Sequence, residues 1–260
     1  MLLERGLLVE VEPRRGAFRH PLLRDAIYGD ISWTRRRDLH RQLAARLAAG
    51  AGPGAAPLVI AHHWLAAQEP DRARLAYLAA GEQACAIHAY HDAAAAVKQA
   101  LELWPNGVDE VYRLEVFDRL GECAQLSGMA AEAAHAWREV AEGRRQRGDL
   151  QAAAFAERKL ANVAELQGHW EAALAAHEAA ARSFAAGGLP AECAAEHLAA
   201  AAHLRSAGRY RAALDLLDTA AEEALHAGRA DLQARILGLN GNVLARMGKV
   251  AEGLALVREG

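Results

Sequence analysis

Four histidines, His62, His63, His88 and His91, lie close together in the chain. Imidazoles three residues apart on a helix share a face and can hold one zinc ion between them. His88, however, falls where a turn between helices is expected, which spoils that geometry. The 12 histidines are otherwise scattered without the ligand spacings of a zinc motif, so no metal ligand is assigned. Cys85 could serve as a nucleophile beside one of these histidines, yet its place in the pattern predicts a small buried thiol. The pair Glu222-Glu223 reads as a solvated helix face. There is no G-x-S-x-G elbow, no H-E-x-x-H helix and no G-x-x-x-x-G-K-[ST] phosphate loop. The catalytic set is therefore empty and the expectation is a protein that is not an enzyme. A metal-dependent hydrolase is an alternative that metal analysis of the purified protein would decide.

The main basic cluster is Arg35-Arg36-Arg37 with Arg41 and Arg46, and residues 1–60 carry ten arginines against six acids. The whole chain has a net charge of −3, a weak field for gathering nucleic acid or an anionic membrane. These arginines are read as the solvated face of a helix, or as contacts to a neighbouring domain, without direct DNA contact. The three cysteines, Cys85, Cys123 and Cys193, fit reduced thiols in the cytoplasm better than a disulfide framework. The opening MLLERGLLVEVEPRR has charge inside its apolar run and is no signal peptide. No apolar run reaches the roughly 20 residues needed to span a bilayer.

These residues must be positioned by helices. The chain is 53% hydrophobic, much of it alanine, with only 5% aromatics, which favours helix throughout. The stretches GHWEAALAAH and GRYRAALDLL write one hinge twice, and the ladder extends further. Gly128, Gly168, Gly208 and Gly248 stand 40 residues apart, and the same step backward reaches His88. Two residues after each hinge come Tyr90, Ala130, Trp170, Tyr210 and Val250. Five after come Ala93, Ala133, Ala173, Ala213 and Gly253; twelve after come Ala100, Val140, Ala180, Ala220 and Gly260. Seven before come Gly81, Gly121, Ala161, Ala201 and Gly241. Glycine ends a helix in the left-handed conformation. Small residues on both sides let two helices approach, and the larger residue after the turn is expected to fill the wedge between hairpins. One hairpin cannot bury its own apolar stripe, so neighbours must stack.

The first copy, YLAAGEQACAIHAYHDAAAAVKQALELWP at residues 77–105, resembles the tetratricopeptide repeat. Gly81, Ala84, Tyr90, Ala93, Ala100 and Pro105 stand on that family's signature columns, with His88 in place of the usual glycine. The resemblance implies an all-α class, an α-α superhelix of right-handed sense built from five repeats of 40 residues from about residue 74. Its longer helices distinguish it from the common repeat.

Residues 7–20, LLVEVEPRRGAFRH, are the one stretch with strand character. Leu8, Val11 and Phe18 are apolar around a PRRG turn, and the runs flanking Pro13–Gly16 read as a β-hairpin. Helix signals follow in HPLLRDAIYGDIS and WTRRRDLHRQLAARLAAG, where Leu39, Leu43 and Leu47 recur on one face. GAGPGAAP, residues 50–57, is a flexible break, and LVIAHHWLAAQ is one more helix. This arrangement resembles the end of a winged-helix domain. FRHPLLRD, residues 18–25, resembles the motif that closes the winged helix in signal-transduction ATPases with numerous domains, where a histidine senses the nucleotide phosphates. His20 matches that histidine, while Pro21 replaces the usual aspartate. DAIYGDISWTRRRDLHRQLAARL resembles the segment joining ATPase to repeats in large LuxR-type (MalT-like) bacterial transcriptional regulators.

The resemblance implies two domains: residues 1–56, the end of a winged helix with its linking helix, and residues 57–260, the repeat solenoid. It further implies the sensor or protein-interaction arm of an ATP-dependent transcriptional regulator, cut from a longer chain. There is no cofactor in this part, and ATP or ADP belongs to the missing ATPase domain. A free-standing tetratricopeptide scaffold is the alternative. In this family, inner-helix residues off the packing columns line a concave groove. Projected here they are Glu122, Gln125, Arg158, Asn162, Glu165, Arg205, Asn242 and Arg246, suited to a protein, a peptide or a small polar effector. Neither a membrane partner nor a particular oligomeric state is implied.

Overall fold

A 20-residue rhythm governs the backbone. The computed structural model describes residues 7–12, 15–50 and 56–259. Among them a two-stranded hairpin, β1 (Leu8–Glu12) and β2 (Arg15–Phe18), precedes 13 helices: α1 (Pro21–Asp30), α2 (Trp33–Ala48), α3 (Pro57–Ala66), α4 (Pro70–Ala86), α5 (Tyr90–Glu102), α6 (Glu110–Leu126), α7 (Ala130–Gln146), α8 (Leu150–Leu166), α9 (Trp170–Ala186), α10 (Pro190–Ser206), α11 (Tyr210–His226), α12 (Ala230–Arg246) and α13 (Val250–Glu259). From α2 to α13 each helix packs on the next along the chain, giving an all-α helical-repeat superhelix. The strands pair Leu8 with Phe18 and Val9 with Ala17, with an irregularity between Glu10 and Glu12. The hairpin expected from the sequence is thus formed; residues 13 and 14 of its turn and most of the 50–57 break lie outside the described residues.

The hinge ladder is finer than the 40-residue spacing of the sequence pattern. Gly148, Gly188 and Gly228 take positive φ just as Gly128, Gly168, Gly208 and Gly248 do. At each of these hinges the residue after glycine donates its N–H to the carbonyl five residues back, as in Met129 to Ala124 at 2.8 Å and His169 to Ala164 at 2.9 Å. This closes the last helical turn in a Schellman-type cap. The same residue then begins the next helix, so α6 to α12 each run 17 residues with three-residue turns. Gln68 and His88 hold the same left-handed geometry without being glycine, at φ 56° and 59°.

The small-residue columns do what their size dictates. Ala93, Ala133, Ala161, Ala173, Ala201 and Ala213 are fully buried. A methyl at Gly81 would sit 2.7 Å from Val97, and one at Gly121 would sit 2.6 Å from the Trp137 ring. The column two residues after the hinge departs from expectation. Tyr90 and Tyr210 are half-buried, but Trp170 is 59% exposed and Val250 is exposed too. Full burial belongs to the alanine column three residues further on, Ala93, Ala133, Ala173 and Ala213, and not to this one.

The α2 face also differs from the expected leucine stripe. Leu39 and Leu43 are exposed, and α2 docks on α3 through the fully buried pair Ala44 and Ala61. Around that contact Arg37 donates to the Ala67 carbonyl at 3.0 Å, His40 meets His63 at 2.8 Å, and Arg41 pairs with Glu69 at 3.0 Å. A small residue permits close approach, and the C-terminal turn of α3 presents the Ala67 carbonyl to arginine; leucine uses neither. The basic cluster is therefore partly structural, with Arg36 also lying over the Tyr28 ring.

Candidate functional site

Between helices α4 and α6 lies an open cavity of about 460 Å³. Glycine at position 81 lets Val97 of α5 come up from below as floor, joined by Leu78 and Cys123; Tyr90 and Leu126 stand at the edges. The rim is charged. Arg119 donates to Glu82 at 2.8 Å, and Lys159 of α8 donates to Glu122 at 3.2 Å. Cys85 lines this cavity and is exposed, against the expectation of a buried thiol, because the last turn of α4 opens toward the groove. Burial, then the neighbouring Cys85 thiol, push Cys123 up to about 11, so it stays protonated. An apolar floor with a polar rim is the usual build of a site that takes a side chain and fixes its neighbours.

Two hairpins further on, the junction of α8, α9 and α10 is polar. His177 of α9 is buried, with Nδ1 2.7 Å from Glu196 of α10 and Nε2 3.0 Å from Glu165 of α8. Both hydrogen bonds exist together only if the ring carries both protons. Burial opposes the charge, but the bonds to Glu196 and Glu165 and their charges outweigh it and hold His177 above its ordinary value. Partial burial would raise Glu165, yet the bonds to His177 and His203 hold it below the usual carboxylate range. His203 reaches the same Glu165 oxygen at 2.6 Å and stacks on His177, ring centroids 5.5 Å apart. Arg158 closes the lattice by pairing with Glu192 and Glu196 while lying over the Phe184 ring at 4.7 Å.

Beside it, Cys193 donates to the Ala181 carbonyl at 3.2 Å and to Glu223 at 3.0 Å, and Glu223 also faces His197 at 2.9 Å. Glu223 is thus no solvated residue, as its sequence neighbourhood suggested, but a partner for groups on α10. Burial, then the Glu223 bond, push Cys193 up to about 12. Each trio, Glu165-His177-His203 and Cys193-His197-Glu223, brings three donor atoms within 4.8 Å of one another.

The eight groove residues read from the sequence fall in several settings. Glu122 lines the α4–α6 cavity and Gln125 is half-buried near it. Arg158 and Glu165 belong to the polar lattice. Asn162 and Asn242 are exposed, and Arg246 donates to Asn242 at 3.3 Å. Arg205 is half-buried in the last turn of α10, and its buried Nε has no partner among the described residues. Arg158 stands mid-helix in α8, whereas Arg205 and Arg246 stand in the last turns of α10 and α12. His20 is exposed at the N-terminal cap of α1, where its carbonyl receives the Leu23 and Arg24 amides. His62, His63, His88 and His91 are not brought together: His62 packs edge-on to Tyr77, His63 meets His40, and His88 bonds the Tyr90 hydroxyl.

Sequence reasoning missed His177, His203, Glu196 and Glu192. A signal for them existed. Partners on successive inner helices are separated by 37 or 38 residues: Glu82 with Arg119, Glu122 with Lys159, Arg158 with Glu196, Glu165 with His203. That is one 40-residue repeat less two or three residues, about two-thirds of a helical turn.

No family model matches the chain, and no curated protein does either. Solved structures do. The apo form of RapI aligns at TM-score 0.57 and 14% identity, over 72% of this chain and 68% of that one. BtubC (BKLC) from P. vanneervenii aligns at TM-score 0.55 and 13% identity, over 88% and 90%. The nearly identical TPR-like repeats assigned to a Podosopora anserina kinesin light chain align at TM-score 0.53 and 15% identity, over 73% and 93%. At these identities the likeness concerns the fold, and the fold is that of a TPR-like helical repeat.

Proposed function

We propose that the chain is a non-catalytic protein-interaction arm whose inner-helix groove receives a peptide or partner segment. The observation that supports this is the α4–α6 cavity, an apolar floor bounded by the Glu82–Arg119 and Glu122–Lys159 pairs. An extended or helical segment placing one apolar side chain on Leu78, Val97 and Cys123 would meet a charge of either sign at the rim. Outward along the wall, Asn162, Arg205, Asn242 and Arg246 would extend the contact. A phage-displayed peptide library panned on the purified protein tests this reading. Enriched peptides should lose about tenfold in affinity, the equivalent of 1.4 kcal/mol, for Leu126→Glu, a change at a 63%-exposed side chain. Peptides that bind both proteins equally would place recognition elsewhere.

In the finer reading, residues 1–56 are the end of a winged helix and residues 57–260 the sensor of a LuxR-type, ATP-dependent regulator acting in the cytoplasm. His20 would there report the phosphates of a nucleotide held by an ATPase domain of the same chain. The resemblance of FRHPLLRD and the β1–β2 hairpin before α1 support it. These 260 residues should bind no ATP, and His20→Ala should matter only in a longer protein that carries the ATPase. Micromolar ATP binding by this chain alone would overturn the assignment.

A further inference from the structure

We propose that Glu165, His177 and His203 form a binding site for a divalent transition-metal ion of the zinc class, joining α8, α9 and α10. The argument begins with donor chemistry. Two imidazoles and one carboxylate are the ligand set that borderline ions favour, whereas calcium and magnesium favour oxygen alone. The donor atoms Glu165 Oε1, His177 Nε2 and His203 Nε2 come from three separate helices yet converge within 4.8 Å. Both imidazole nitrogens address the same carboxylate oxygen, at 3.0 and 2.6 Å.

Geometry agrees with one shared ion. With metal–nitrogen bonds of about 2.0–2.1 Å, each ring centroid lies roughly 3.2 Å from the ion, and a tetrahedral angle sets the centroids about 5.2 Å apart. The observed separation is 5.5 Å, with the ring planes 26° apart, so the spacing fits while the rings must turn to aim both lone pairs at one ion. Tetrahedral ligand atoms stand roughly 3.4 Å apart, so Glu165 must swing outward by about half an ångström. Its side chain is 35% exposed and free to do so.

The far side of the site is built as well. His177 Nδ1 faces Glu196 at 2.7 Å, and Glu196 is itself buried and held by Arg158. Metal-bound imidazoles almost always give their other N–H to such an acceptor, which fixes the ring and raises its basicity. Nε2 must then offer its lone pair, so uptake of the ion expels the second proton of His177. Three protein ligands leave a fourth coordination position for a water. The neighbouring trio is a poorer candidate, because its thiol must lose its proton to bind an ion, and Cys193 is buried against the Ala181 carbonyl and the Glu223 carboxylate, which both oppose a thiolate.

The site lies apart from the α4–α6 groove, and its test needs no binding partner. The full chain is stripped with EDTA and titrated with cobalt(II), whose visible absorption reports a low-coordinate nitrogen–oxygen site, and then with zinc(II). The expected result is one cobalt per chain at micromolar concentration, displaced by zinc, with the melting temperature raised by either ion. His203→Asn and Glu165→Gln should each abolish the spectrum; the second lies at a half-exposed carboxylate and guards against misfolding of the first. Glu196→Gln should keep the spectrum but weaken affinity about 10–100-fold. His197→Asn, in the neighbouring trio, should change nothing. No cobalt spectrum up to millimolar ion, a spectrum that survives His203→Asn and Glu165→Gln in folded protein, or one lost on His197→Asn would each overturn the proposal.

Discussion

The interface of α6 with α7 and the junction of α8, α9 and α10 are built on one hinge geometry and filled with opposite chemistry. In the first, Gly121 is a bare spot into which the fully buried Trp137 ring presses, with Phe117, Leu120 and Val140 around it. In the second, the equivalent space between helices holds His177, Glu196 and Arg158. The comparison teaches that the alanine and glycine columns set helix spacing by themselves. What fills the remaining volume is then open to other demands. A dispersion-packed layer fails by overcrowding, while a polar layer fails when one charge loses its partner.

The largest expected effect lies in the polar layer. Glu196→Ala leaves the His177 Nδ1 proton unpaired and Arg158 held by Glu192 alone. Breaking a buried pair typically costs 3–5 kcal/mol, and Arg158, at 27% side-chain exposure, argues for the lower end, about 3 kcal/mol. Urea unfolding should show it, and an unchanged midpoint would mean the lattice contributes nothing to stability. Next comes Gly121→Ala in the apolar layer. A methyl there meets a ring rather than the end of a flexible chain, so a loss of about 1–3 kcal/mol is expected. If the variant instead melted with the parent, Trp137 would have room to move and the layer would be softer than its burial implies. Ala173→Leu, at a fully buried contact of α9 with α8, should cost a similar amount by the same mechanism. Parent-like thermal stability there would show that the column does not set the spacing.

Smaller effects probe the hinges that both layers share. Gly168, at φ 71°, should lose about 1 kcal/mol as alanine, read by circular dichroism melts. His88→Gly should move the other way, by up to about 1 kcal/mol, since an L-residue there bears the left-handed strain. If both changes were neutral, the turns would not be under backbone control at all. Trp170→Ala, despite its size, should stay within about 0.5 kcal/mol because its ring is mostly in solvent.

The columns of small residues were legible in the sequence because backbone contact tolerates few side chains, and that narrow choice recurs at every layer. The polar lattice was harder to read, since a pair such as Glu165 with His203 needs only complementary chemistry at the 37- or 38-residue offset, and the residue types change each time that offset recurs. Leu39 and Leu43 misled for a related reason. Their spacing marks a helix face correctly but does not say which face is covered, and Ala44 with Arg37 won the contact. Glu223 was misjudged because its partners, Cys193 and His197, lie on a different helix.

The left-handed turns at residues 128, 148, 168, 188, 208, 228 and 248 are alike whichever helix they follow. As a matter of growth by duplication, this separates two units of inheritance. Gaining or losing 20 residues would keep every turn intact yet exchange the inside and outside of the wall for all later helices. Gaining or losing 40 would preserve both, so the protein can change length only in even numbers of helices without turning itself inside out.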